Sequence, residues 1–403
     1  MNKDNIEIRR PDRSWSEGMA RTITFVVTED CQLKCKYCYV VGKNKYKKMN
    51  VEIAKKVVDY LLSERNIFDE NSLIVDFIGG EPFLEIDLID IVSDYIKLKL
   101  FELDHPWFSS YRFSFSTNGI LYSDERIQRY IEKNKAHISI GITIDGTKKK
   151  HDINRIYPDG SGSYDDVVKN IPLWLEQFPT ASTKVTVASE DLPYIKDSVI
   201  HLWTLGITGI NINVVFENVW KEGDDEIFYN QLVELADYTI EHELYKENYC
   251  SFFSESIGNP MPITDTQNWC GSGYKMLAVD CDGNFYPCNR FLPFTLEKKK
   301  KGRGRCIGNY IDGIDFNKLR PFQTLDRLSQ STEECIDCEV ASGCALCVGL
   351  NYDDADTHTI FQRAAHICKM HKARVKANNY YWNKLEKEKG YKRKTNYRKV
   401  LNV

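Results

Sequence analysis

The sequence of 403 residues lacks the features that would assign it to a membrane or to nucleic acid. No apolar run approaches the roughly 20 residues that cross a bilayer, and the N-terminus has no apolar signal-peptide core. A formal net charge of −4 gives no bulk reason to expect binding to nucleic acid. No internal repeat is visible beyond alternating strand-like and helical runs. We therefore expect a cytoplasmic protein without membrane or nucleic-acid partners.

Aromatic residues and cysteine, in contrast, are plentiful. The chain has 23 Tyr, 19 Phe and 7 Trp, with charges of both signs, which is typical of a globular protein. Its 13 cysteines would lie in a reducing compartment, where disulfides are rare. They therefore favour metal binding or catalysis over disulfide bonds.

The first half of the chain has the pattern of a parallel α/β fold. Strand-like runs alternate with helical runs in six βα units, with strands near 22–27, 73–78, 112–116, 137–143, 184–188 and 210–216 and helices near 51–64, 84–100, 123–133, 164–177, 192–204 and 225–245. Such a pattern predicts a parallel sheet with crossover helices, either doubly wound or an incomplete barrel. In both architectures functional residues gather at the C-terminal ends of the strands.

The character of the sequence changes after about residue 250. Ten of the cysteines follow, and Asp282-Gly283-Asn284 predicts a hairpin turn. A basic loop at 298–305 and a basic, aromatic helix in 372–403 complete the chain, the helix being most simply a solvated one packed on the core. We expect an N-terminal extension at 1–20, a barrel at 21–245, a cysteine-rich domain at 246–371 and a basic tail at 372–403.

Three cysteines follow the first predicted strand, as Cys31, Cys35 and Cys38. Three thiolates leave one iron of a cubane iron–sulfur cluster without a protein ligand, so that iron can bind a small molecule. Tyr37 would lie beside whatever binds there. A zinc site short of one ligand and buried apolar thiols are the alternatives. The lack of a nearby fourth ligand favours the open cluster.

A glycine-rich turn follows the second predicted strand, as Gly79-Gly80-Glu81-Pro82. Glycines at a strand end let a ligand approach the backbone, and a Glu81 carboxylate can accept hydrogen bonds from an ammonium group. The alternative is an ordinary turn with Pro82 at the start of a helix.

With these two motifs the chain resembles the radical S-adenosylmethionine (SAM) superfamily, and Ser116–Gly119 and Thr143–Arg155 continue the resemblance. The resemblance implies a partial (β/α)6 TIM-like barrel and a 4Fe–4S cluster on the three cysteines. It implies that the turn at Gly79 binds the SAM amino group. It further implies that a 5′-deoxyadenosyl radical forms, and that the remaining SAM contacts are Arg155 for the carboxylate, with Ser116, Asn118 and Thr143 nearby. For Asp145 and Asp152, turn and cap roles remain open.

The later cysteines resemble a SPASM domain, with short β-hairpins and helices and two auxiliary 4Fe–4S clusters. That resemblance assigns the outer cluster to Cys335, Cys338, Cys344 and Cys368, and the inner cluster to Cys270, Cys288 and Cys347. Zinc on the four cysteines from 335 to 347 is the alternative. Only two residues separate Cys344 from Cys347, and no cysteine lies shortly before Cys270. Either a spare cysteine (Cys250, Cys281 or Cys306) completes the inner cluster, or the inner cluster has an open iron that could bind a substrate thiolate.

SPASM proteins mostly modify peptides. The resemblance therefore implies a maturase that forms thioethers from Cys sulfur to carbon in a ribosomally made precursor peptide, with a low-potential electron donor such as a flavodoxin or ferredoxin. An anaerobic sulfatase maturase, which forms formylglycine, is the nearest alternative. Carbon–carbon cross-linking or epimerising maturases and a multi-cluster electron-transfer protein are the others. Because few residues precede the first strand, we expect the barrel rim, the basic segments or a separate protein to bind the leader peptide.

Overall fold

The structure is a computed structural model that describes residues 20–41, 46–63, 70–261, 270–344, 347–357 and 359–393. The expected N-terminal extension, except Ala20, and the end of the basic tail lie outside these residues. The six expected βα units are present. Their strands are β1 (Ala20–Thr28), β2 (Ser72–Gly79), β3 (Tyr111–Thr117), β4 (Ile138–Ile142), β5 (Ser182–Val187) and β6 (Gly209–Val214).

The helices between the strands agree with the expected pattern except at two interruptions. Residues 164–177 form two helices, and Pro193 lies in a 3-10 turn before α7. An additional short helix, Lys148–Asn154, precedes the two helices in 164–177. The helices of the barrel are α1 (Val51–Ser63), α2 (Ile86–Glu102), α3 (Glu125–Asn134), α4 (Lys148–Asn154), α5 (Tyr164–Val168), α6 (Ile171–Gln177), α7 (Ile195–Thr204) and α8 (Asp224–Glu241).

The strands form a curved parallel sheet with two different faces. Strands β1 to β4 pair in order, β5 pairs with β6, and a single bridge from Thr143 to Lys184 joins the two groups. In β2, Leu73, Val75 and Phe77 are buried towards the helices, while the alternate positions are less buried. Because side chains alternate along a strand, these alternate residues line the inside of the partial barrel.

The cysteine-rich part continues the same sheet. The expected hairpin is present, and its first strand pairs in parallel with β1. The sheet therefore crosses the expected domain boundary near 245. The short strands of the cysteine-rich part are β7 (Tyr249–Cys250), β8 (Met276–Val279), β9 (Asn284–Tyr286), β10 (Gly308–Asn309) and β11 (Gly313–Ile314).

Short helices and loops make up the rest of this part, and a long helix closes it. These helices are α9 (Phe316–Gln323), α10 (Arg327–Gln330), α11 (Glu333–Ile336), α12 (Val348–Asp354) and α13 (Cys368–Lys389). The basic helix α13 starts at Cys368 and packs on α8 with Val375, Tyr381 and Leu385 buried. Within the described residues, no helix is long and apolar enough to cross a membrane.

Candidate active site

The three-cysteine segment follows β1 at the C-terminal end of the sheet. Cys31 is buried, and Cys35 and Cys38 are half-buried. The backbone amide of Lys34 donates to the carbonyl of Ile156 (2.7 Å), and that of Lys36 donates to the carbonyl of Asn154 (3.0 Å). These two bonds hold Arg155, a residue far along the chain, beside the cysteines.

The glycine turn after β2 packs directly on the cysteine segment. The Gly80 amide donates to the Thr28 carbonyl (3.0 Å), and the Glu81 amide donates to the Asp30 carbonyl (2.8 Å). A Cβ on Gly79 would collide with the Thr28 carbonyl oxygen. A side chain at this position would therefore separate the two segments.

The Glu81 carboxylate connects this turn to the end of β3. It accepts hydrogen bonds from the Phe83 amide (3.1 Å), the Thr117 hydroxyl (2.7 Å) and the Asn118 amide (2.7 Å). Burial raises the pKa of Glu81, and these donors offset part of the increase. Most of the carboxylate's hydrogen-bonding capacity is thus used within the protein, and Glu81 braces two strand ends as well as lining the cavity.

A buried polar chain of three residues lies beside the cysteines. The Tyr37 hydroxyl donates to the Asp145 carboxylate, and the Arg155 guanidinium donates to the Tyr37 oxygen (3.0 Å). Burial alone would raise the pKa of Asp145, but Lys150 and Arg155 lower it. Asp145 is therefore an ionised partner in this buried chain. Asp152 accepts from the Tyr164 amide (2.9 Å), which agrees with a cap role.

These motifs surround a cavity of about 360 Å³. Its walls include the three predicted cluster ligands, Cys31, Cys35 and Cys38, and all the SAM contacts expected from the sequence except Pro82, namely Tyr37, Gly79, Gly80, Glu81, Ser116, Asn118, Thr143 and Arg155. Pro82 is buried at the start of a 3-10 turn. In the described part of the chain, Arg155 Nε and Gln32 Nε2 are buried without a hydrogen-bond partner. Unpartnered donors beside the cavity fit a ligand that carries carboxylate or other acceptor oxygens.

The barrel side of the cavity contains a charged pair that the sequence analysis did not identify. Lys184 lines the cavity from β5, and Asp76 lies on the inner face of β2. Burial raises the pKa of Asp76 to about 6, although Lys184 and the hydroxyls of Ser114 and Thr24 oppose the increase. The alternation of polar residues in β2 and β5 was a signal for these positions, but only closure of the barrel brings them together.

A second missed group lies where this cavity meets a cleft of about 290 Å³. Arg290 pairs with the Glu217 carboxylate (2.5 Å), and its guanidinium carbon lies 5.1 Å from the centre of the Tyr39 ring. These three residues line both spaces. The outer cleft also has apolar walls, including Val41, Val215, Val219, Leu296 and Leu350. It gives a route from the surface to the cofactor cavity.

The three cysteines assigned to the inner cluster lie near one another. Burial, together with the neighbouring Cys270 and Cys347, raises the pKa of the Cys288 thiol to about 12. Cys347 also lines the cofactor cavity, so this group borders the expected radical site.

The four cysteines assigned to the outer cluster line one cavity of about 420 Å³, namely Cys335, Cys338, Cys344 and Cys368. Cys347 is not among them, although the zinc alternative requires it. No three His, Cys, Asp or Glu side chains of the described residues are close enough together to hold a single metal ion.

The three spare cysteines have separate surroundings. Cys281 Sγ donates to the Val26 carbonyl (3.3 Å), and Cys306 Sγ donates to the Gly308 carbonyl (3.2 Å). Burial raises the pKa of Cys250 to about 12. In the portion that the structure covers, none of the three contributes to the group at Cys288.

Comparisons with known proteins agree with this geometry. Residues 25–191 match the radical SAM superfamily. An uncharacterised protein of Methanocaldococcus jannaschii is 30% identical over 199 residues, which cover 49% of this chain and 64% of that protein. The radical SAM cyclopropyl synthase TigE of Paramaledivibacter caminithermalis is 21% identical, with 85% of this chain and 71% of TigE covered. The subtilosin biosynthesis protein AlbA of Bacillus subtilis is 23% identical over 66% of this chain and 54% of its own length.

Two solved structures have the same fold. Native anSMEcpe with bound AdoMet and the Cp18Cys peptide is 19% identical, with a TM-score of 0.67 over 92% of this chain and 100% of that chain. Streptococcus suis SuiB bound to the precursor peptide SuiA is 16% identical, with a TM-score of 0.56 over 85% and 75% of the two chains.

The present chain carries a radical SAM domain and is related to the SPASM-type peptide and sulfatase maturases. Enzymes of this superfamily use SAM and a 4Fe–4S cluster.

Proposed function

We propose that this protein is a radical SAM peptide maturase that installs thioether cross-links, from Cys sulfur to carbon, in a ribosomally synthesised precursor peptide. The observation that carries the proposal is the position of Cys347, which belongs to the group of Cys270 and Cys288 and also lines the cofactor cavity. A three-cysteine site leaves one ligand position open. A substrate thiol held there would lie beside the cavity in which hydrogen abstraction takes place.

The residues of the cavity have defined roles in this proposal. Cys31, Cys35 and Cys38 hold the radical-generating cluster, and the turn at Gly79 receives the SAM amino group. Arg155, fixed by Tyr37 and Asp145, receives the SAM carboxylate.

When bound, the cofactor would supply the radical chemistry that activates a carbon–hydrogen bond of the peptide. The protein orients the peptide and keeps water away. Arg290, Glu217 and Tyr39 stand at the junction through which the peptide reaches the cavity.

The proposal includes two further clusters, one on Cys270, Cys288 and Cys347 and one on the four outer cysteines. A low-potential flavodoxin or ferredoxin would supply electrons, and the protein would act in the cytoplasm. The separate surroundings of Cys250, Cys281 and Cys306 support an inner site without a fourth cysteine.

Formylglycine formation on a sulfatase is the second candidate. It is favoured by the fold match to anSMEcpe, which extends over 100% of that chain. The two reactions differ in their products. Thioether formation removes a pair of hydrogen atoms and keeps the sulfur in a bridged fragment, whereas conversion of Cys to formylglycine removes the sulfur.

The test is anaerobic turnover of the reconstituted full chain, reduced with dithionite and supplied with SAM. The substrates are a Cys-containing precursor peptide encoded beside the gene and, separately, the Cp18Cys peptide. We expect 5′-deoxyadenosine and a bridged precursor peptide by mass spectrometry. Formylglycine on Cp18Cys without a bridge in the precursor would overturn the thioether proposal in favour of the second candidate.

The matched pair for the inner site is Cys347→Ala and Cys306→Ala. We expect Cys347→Ala to lose the bridged product and about four irons. Cys306→Ala should keep both, because its thiol donates to the Gly308 carbonyl. If Cys306→Ala, Cys250→Ala or Cys281→Ala lost iron instead, that residue would be a fourth ligand and the open site would be wrong.

A further inference from the structure

The cavity of the four outer cysteines contains one buried cation whose hydrogen bonds are incomplete. Arg363 is 7% exposed and lines this cavity with Cys335, Cys338, Cys344 and Cys368. Within the described residues, its Nε and Nη2 atoms are buried and have no hydrogen-bond partner. A guanidinium remains protonated at any pH the protein experiences, so its charge must be balanced locally. Unpartnered buried donors indicate a missing acceptor.

Two other cations near this cavity, Lys372 and Arg374, each have at least one partner. Lys372 lies 3.7 Å from the Glu334 carboxylate, and its side chain is 56% exposed. Arg374, outside the cavity wall, donates to the carbonyls of Gly343 (3.4 Å) and Ser251 (3.2 Å). Arg374 also has one buried atom without a partner, Nε, but among the described residues Arg363 differs from both in lining the cavity with two such atoms.

The position of Arg363 is fixed by its backbone. The next residue, Ala364, donates its amide to the Asn351 side-chain oxygen (3.0 Å) in α12. Because Arg363 lines the same cavity as the four thiols, its guanidinium is close enough to stabilise negative charge on their sulfurs.

We propose that Arg363 is the positioning residue that neutralises the outer cluster, donates hydrogen bonds to its sulfurs and thereby raises its reduction potential. This inference rests on the outer cluster of the proposed function. Four thiolates and an iron–sulfur core carry net negative charge, and each added electron increases it. A buried cation stabilises the reduced state more than the oxidised state, and hydrogen bonds to sulfur act in the same direction. The outer cluster then accepts electrons more readily than it would without Arg363.

The test is an anaerobic redox titration of the reconstituted full chain, followed by electron paramagnetic resonance. The reduction step that disappears in the double variant Cys335→Ala with Cys338→Ala belongs to the outer cluster. We compare Arg363→Gln, which removes the charge, with Arg363→Lys, which keeps it. Lys372→Gln is the control, because it removes an exposed charge from the same cavity.

For Arg363→Gln we expect at least a tenfold shift of the outer cluster towards its oxidised state, or about 59 mV for one electron. The iron content should not change. Arg363→Lys should give a smaller shift, and Lys372→Gln should shift the equilibrium less than threefold because water screens its charge. The reduction potentials of the other two clusters should not change.

Unchanged outer potential in an iron-replete Arg363→Gln protein would overturn the proposal. Equal loss of the same irons from Arg363→Gln and Arg363→Lys would also overturn it, because the lysine variant keeps the charge. If the wild-type protein lacks the step that the cysteine double variant removes, the outer cluster of the proposed function is absent. That failure is distinct from a failure of Arg363 to tune it.

Discussion

The cofactor cavity lies at the ends of parallel strands, whereas the outer cysteine cavity lies among loops, a short helix and the start of the long helix α13. Around the cofactor cavity, side chains brace one another, as Glu81 does between two strand ends. Around the outer cavity, Cys335 lies in the four-residue helix α11, and Cys338 and Cys344 lie in loops. Such short elements are not stable alone. From this comparison we expect that the barrel forms its site before a cofactor binds, and that the outer site depends on the cluster proposed for it.

The largest expected effect tests whether the two regions hold their iron independently. Replacing Cys31, Cys35 and Cys38 together by Ala should abolish reductive cleavage of SAM, because the radical-generating cluster is lost. Iron should fall from about twelve to about eight per chain, since the auxiliary clusters remain. Chromatography of 5′-deoxyadenosine and an iron assay measure both quantities. Persisting cleavage of SAM, or loss of all iron, would contradict the expectation that the two regions hold their iron independently.

Removal of all iron by a chelator should next affect the two regions unequally. Backbone amides between residues 333 and 344 should lose protection from hydrogen exchange, because metal binding and folding are coupled there. Amides of β1 to β4 should keep their protection, since parallel pairing and a buried core hold them. Hydrogen exchange with mass spectrometry gives both values in one experiment. Equal loss in the two regions would contradict the distinction.

A buried ion pair tests how far the barrel supports its own site. The Lys150 ammonium lies 3.2 Å from the Asp191 carboxylate, and both side chains are fully buried. Lys150→Met should lower the free energy of unfolding by about 3–5 kcal/mol, because it leaves Asp191 charged and unpaired.

The control for that prediction is Lys148→Met, at an exposed ion pair on the same helix, where the free energy of unfolding should change much less because water screens the pair. Anaerobic urea denaturation measures both variants. Similar values for the two lysines would show that the buried pair does not support the barrel.

The smallest expected effect concerns Asp76 and depends on pH. Its pKa is raised from 3.8 to about 6 in the folded protein, so folding favours the protonated form. Stability is therefore lost as the pH rises from about 4 through 6 and stays lower above that range. Asp76→Asn mimics the protonated form and should stabilise the protein by on the order of 1 kcal/mol more at pH 8 than at pH 5.5. A pH-independent difference in the urea midpoint would contradict this assignment.

Much of the fold was predictable because it rests on local patterns. The six βα units follow from alternating strand and helix periods, and the hairpin at Asp282–Asn284 follows from its turn residues. The broken helix at 164–177 and the turn at Pro193 were missed, because a continuous apolar pattern does not reveal where a helix is interrupted. The pairing of β8 with β1 was also missed, because parallel pairing over such a separation leaves no local signal.

The sequence by itself determined the three-cysteine motif, the glycine turn and the two later groups of cysteines, because each depends on residue type and short spacing. Only the tertiary structure decided what joins them: Cys347 at the cofactor cavity, Asp76 facing Lys184 across the barrel, and Arg363 beside the outer thiols. The physical reason is that these groups interact through space. Their positions depend on sheet closure and loop packing, which bring together residues far apart in the chain.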